Sequence, residues 1–62
     1  MELSNEQISI IDYVKQGYSN LEIAGKLGYS PDTIKKKLCK IYKIFNVRGR
    51  IALVNHLIKQ SK

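Results

Sequence analysis

Three serines punctuate this chain, and their surroundings leave room for little but short helices. Ser4 is followed three residues later by Gln7, and Ser19 by Glu22. At that spacing the hydroxyl accepts from a free N–H of the first turn, and the longer side chain reaches back to the serine's own N–H. Ser30 precedes Pro31, whose missing N–H costs nothing at the first helical position, and Asp32, which suits the positive end of the helix dipole. Stop signals answer the starts, because Gly17, Gly28 and Asn46 tolerate the left-handed conformation that closes a helix. Between the signals, apolar residues recur at helical spacing: Leu3, Ile10, Ile11 and Val14, then Ile23, Ala24 and Leu27, then Ile34, Leu38, Ile41 and Phe45. A fourth helix begins near Arg50. The pattern predicts helices over residues 5–16, 20–27, 31–45 and 50–59, with Ser61 and Lys62 fraying. No long stretch of β-branched residues alternates and no Asn-Gly or Asp-Gly hairpin signal occurs, so the fold class is all-α.

The second helix, the Gly28-Tyr29-Ser30 turn and the third helix form a helix-turn-helix, with the first helix as its floor. Gly25 inside the second helix costs about 1 kcal/mol relative to alanine, so tertiary packing must hold that helix. The 62 residues suffice for a single domain, 1–62, with a small core and a stability of about a few kcal/mol. Cys39 is the lone cysteine, which rules out an intramolecular disulfide. No Cys/His cluster suggests zinc, and no cofactor is implied. The N-terminus lacks the basic start and apolar run of a signal peptide. No stretch approaches the ~18 apolar residues that span a bilayer. A cytoplasmic location and no membrane partner are therefore expected.

Charge then narrows the partner. All five acids lie in the first 32 residues, which carry only Lys15 and Lys26; from Thr33 onward there are nine Lys or Arg and no acid. The two parts carry −3 and +9, for a net charge of +6. A polyanion explains such segregation. On the third helix, Ile34, Leu38, Ile41 and Phe45 fall within about 40° either side of one line, with Tyr42 beside it. Opposite stand Lys36, Cys39, Lys40 and Lys43, flanked by Lys35 and Lys37. A solvated helix gains from mixed signs, whereas like charges at Lys36/Lys40 and Lys40/Lys43 cost a few tenths of a kcal/mol per pair. Phosphates would cancel that repulsion and release counterions. Lysines near the start of the helix can also reach guanine O6 and N7. Ser30 and Thr33, at a helix N-terminus with free N–H groups, suit a phosphate as well as a cap.

At Leu3-Ser4, Gly17-Tyr18-Ser19-Asn20, Glu22-Ile23-Ala24 and Leu27-Gly28-Tyr29-Ser30 the chain resembles the LuxR/GerE-type helix-turn-helix family of bacterial transcription regulators. The resemblance continues through Thr33-Ile34-Lys35, Leu38, Ile41-Tyr42, Asn46-Val47-Arg48-Gly49-Arg50 and Val54. It implies a four-helix domain unrelated to the winged helix, with the third helix in the major groove of double-stranded DNA. Carried over by position, Lys35, Lys36 and Cys39 would face bases. Ser30, Thr33, Lys37, Lys40 and the Arg48 region would face phosphates, with Asn20 a further backbone contact; by its place on the outer face of the third helix, Lys43 is expected to hold a phosphate too. The implied partners are a second copy, docked through helix four, and RNA polymerase, at work on the bacterial nucleoid. The chain departs from the family pattern at Glu6, usually Arg; at Gln7, usually Glu; and at Lys37, frequently His. An ion pair of helix one is thereby lost or altered. Ile51 and Ala52 replace a hydroxyl residue and Glu, so helix four loses its hydroxyl cap.

Helix four is nearly apolar all round in its first turn, and a contiguous apolar set marks an interface. Val54, Leu57 and Ile58 lead as dimer contacts. The alternative is a protein-interaction module that uses this helix, with DNA binding lost or non-specific; the intact basic helix speaks against it. A cationic membrane-surface peptide would need one long amphipathic helix, which the glycines interrupt. His56 has no ligand or catalytic partner at suitable spacing, Cys39 has no base placed for it, and no enzymatic constellation emerges. The four tyrosines read as core and turn residues. The sequence leaves open whether the regulator stands alone or is the C-terminal part of a longer one.

Overall fold

The computed structural model describes residues 3–60. Within them lie α1 (Asn5–Lys15), α2 (Asn20–Leu27), α3 (Pro31–Phe45) and α4 (Arg50–Gln60), and no strand. The bounds agree with the sequence reading to one residue at each end. The expectation for Ser61 and Lys62 lies outside the described residues.

Both capping boxes form. Ser4 Oγ accepts the Gln7 N–H at 3.1 Å while Gln7 Oε1 accepts the Ser4 N–H at 2.9 Å. Ser19 and Glu22 repeat the exchange at 3.2 and 2.9 Å. The bonds from Ser19 hold the Glu22 carboxyl below the ordinary carboxylate range. Gly28 ends α2 at φ +77°, where a side chain would be strained. Its N–H and that of Tyr29 both donate to the Ala24 carbonyl at 2.9 Å, which turns the chain toward α3. Asn46 ends α3 at φ +55°. The first turn of α4 closes from the Leu53 N–H to the Gly49 carbonyl at 2.9 Å, so Gly49 holds the cap position, and Ile51 and Ala52, where the sequence reading put the lost hydroxyl cap, lie inside the helix. The Arg50 guanidinium donates to the Tyr18 carbonyl and ties the start of α4 to the α1–α2 turn.

Every helix contributes to one core. Ile10, Ile11 and Val14 come from α1, Ile23 and Ala24 from α2, Ile34, Leu38 and Ile41 from α3, and Leu53 from α4. The third helix packs against each of the other three, and α1 also meets α4. Leu3, Leu27, Tyr42 and Phe45 pack around this core, and so do Tyr13 and Tyr18, whose rings stack 5.2 Å apart. His56 meets the Phe45 ring edge to face at 5.5 Å, a packing role.

Candidate nucleic-acid interface

The buried line of Ile34, Leu38 and Ile41 fixes the roll of α3 about its axis. Everything opposite that line is thereby turned to solvent: Lys35, Lys36, Cys39, Lys40 and Lys43 are all exposed. The structure brings these five predicted residues onto one surface. At its N-terminal end, Ser30 Oγ accepts the Thr33 N–H at 3.3 Å, and the two hydroxyl oxygens lie 3.0 Å apart. When Thr33 donates to Ser30, the serine has accepted two bonds and its own O–H is left to point outward. Arg48 is exposed beyond the C-terminal end of α3, and Asn20 sits half-buried at the first position of α2.

Lys37 has a different setting. Its Nζ lies 2.8 Å from Glu6 Oε1, and the ammonium stands 4.8 Å from the centre of the Tyr29 ring. The Tyr29 hydroxyl donates to the other Glu6 oxygen. Lys37 first, and Tyr29 second, hold the Glu6 carboxyl below the ordinary carboxylate range, while Glu6 pushes both the lysine and the tyrosine upward. The expected loss or alteration of an ion pair in helix one thus takes a definite form: two of the unusual residues, Glu6 and Lys37, meet each other across α1 and α3. Ser4, Glu6 and Gln7 on the α1 side face Thr33, Lys36, Lys37 and Lys40 on α3 across an open groove of about 450 Å³.

The fourth helix divides its apolar residues. Val54 and Leu57, two of the predicted dimer contacts, are half-buried against the core, while Ile58 is 63% exposed. Ile51 is 79% exposed. Ile51 and Ile58 stand seven residues apart, about 20° from one another around the helix, so they share its outer face. Sequence reasoning places Ile51 among the apolar residues of the first turn without singling it out; the structure leaves it exposed beside Ile58.

No helix among the described residues is long and apolar enough to cross a membrane, and none of their His, Cys, Asp and Glu side chains gather into a metal-binding group of three or more. A short α2, a tight turn and a longer basic α3 over an α1 floor define a DNA-binding helix-turn-helix domain. The profile described as "Bacterial regulatory proteins, luxR family" matches residues 1–57, and the chain belongs to that family. It is similar to the HTH-type transcriptional regulator AlkS of Pseudomonas putida, with 42% identity over 59 residues. That similarity covers 95% of the chain but 7% of the relative's length. No solved structure matches the chain.

Proposed function

We propose that the chain is a sequence-specific DNA-binding domain of a bacterial transcription regulator, acting on the nucleoid in the cytoplasm, with α3 in the major groove. The observation that carries this reading is the one-sided surface of α3, where four exposed lysines face away from a fully apolar seam. The similarity to a transcriptional regulator of Pseudomonas supports it. The major groove, about 12 Å wide, admits a helix, and fifteen residues give α3 a length of about 22 Å. In this reading Lys35, Lys36 and Cys39 reach base edges. Lys40, Lys43, Arg48, Asn20, Ser30 and Thr33 meet the phosphates. The outer face of α4, led by Ile51 and Ile58 with Val54 and Leu57 at its margin, joins a second copy across two half-sites.

The test is selection of bound duplexes from a random pool, followed by salt titration of the winner. The five exposed cations of this surface, Lys35, Lys36, Lys40, Lys43 and Arg48, set a limit of about −4.5 on the log–log slope per bound chain. Lys36→Ala should relax the base preference and weaken binding by about 1–3 kcal/mol. Lys40→Ala should weaken all sequences alike and reduce the slope by about one. A pool that yields no motif, with affinity indifferent to salt, refutes the reading.

A further inference from the structure

Lys37 is gripped by an acid from another helix, and the grip has two parts. Glu6 Oε1 takes the ammonium at 2.8 Å, and Glu6 Oε2 takes the Tyr29 hydroxyl. The lysine also lies over the Tyr29 ring, at 4.8 Å from its centre. A move to a phosphate would cost Lys37 the carboxylate and the ring together, and would leave Glu6 facing a basic groove with one donor fewer. Glu6 also lines the groove that Lys36 and Lys40 share. A DNA strand displaced toward α1 therefore meets negative charge there.

We propose that Glu6 is a positioning residue: it withholds Lys37 from the phosphate backbone and bounds the DNA footprint on the α1 side of the third helix. The inference rests on the DNA-binding reading above. Its consequence is a division of labour among adjacent lysines. Lys36 and Lys40 meet DNA, while Lys37 fastens the reading helix and the Tyr29 turn to α1. Non-specific attraction is weaker than the lysine count of α3 would suggest.

The experiment is a salt titration of duplex affinity for the unaltered protein, Lys37→Met, Lys40→Met, Glu6→Gln and the Glu6→Gln/Lys37→Met pair. Lys40→Met should reduce the slope by about one. Lys37→Met should leave it unchanged. Glu6→Gln should free the lysine and steepen the slope by about 0.9, so that its gain in affinity is about 3.5-fold larger at 50 mM than at 200 mM salt. Adding Lys37→Met to Glu6→Gln should abolish that gain. If Lys37→Met alone flattens the slope as much as Lys40→Met, Lys37 is a phosphate ligand; the proposal then fails while the DNA reading stands. If the unaltered protein binds no duplex, the DNA reading itself fails and takes the proposal with it. Lys37→Met truncates a half-exposed side chain, so its slope still decides between the two roles even if Glu6→Gln unfolds.

Discussion

Protonating Glu6 would weaken its hold on two donors at once, and that makes it one of the residues through which pH acts on this fold. Its carboxyl is depressed by Lys37 and Tyr29. A depressed acid contributes stability above its unfolded pKa and loses it as pH falls through the folded one. Glu22 follows the same sign through its bonds with Ser19. Lys37 and Tyr29 are raised, so their contributions are complete below their unfolded values and disappear as pH rises through the folded ones. Thermal melts should therefore show a plateau between about pH 5 and pH 9, with a decline on each side. Glu6→Gln should lessen both declines, leaving the acid share due to Glu22 and the alkaline share due to Tyr42, whose hydroxyl is pushed upward by burial. An alkaline limb identical in the two proteins would show that Glu6 is not what raises Lys37 and Tyr29. Glu6 and Lys37 each stood out in the sequence as departures from the family pattern, but their meeting with one another and with Tyr29 was not legible there. Glu6 lies 31 residues from Lys37 and 23 from Tyr29, and only the roll of α1 against α3 brings them together. The outer lysines of α3 were legible because the helix's own period places them.

The helices themselves could be read because their ends are written locally, in Ser4, Ser19, Ser30, Gly28 and Asn46. The roll of α4 could not be read, since an apolar first turn offers several faces to the core. Burial of Leu53 decided the matter and turned Ile51 outward. The weak element is α2, eight residues long with Gly25 inside it. A methyl group added at Gly25 meets nothing within 4 Å. Gly25→Ala should therefore stabilise the domain by about 1 kcal/mol and raise Tm by roughly 4–8 °C. A lower Tm in differential scanning calorimetry would show that α2 needs the glycine for more than its helical conformation.

For the molecule as a whole, the outer face of α4 predicts the assembly state on DNA. Sedimentation on a duplex with two half-sites should give two chains per duplex, and Ile51→Lys should give one while shifting stability by no more than about 0.5 kcal/mol. A single unaltered chain per duplex at hundreds of micromolar would retire the dimer. The same helix reaches inward as well, since Leu53 is fully buried in a core that the other three helices complete. Removing a buried leucine side chain costs about 2–5 kcal/mol, comparable with the whole stability of a domain this small. The helix-turn-helix is therefore not a transferable cassette. In this chain α2 and α3 keep their core only with α4 alongside, so the basic face of the third helix and the outer face of the fourth come as one piece.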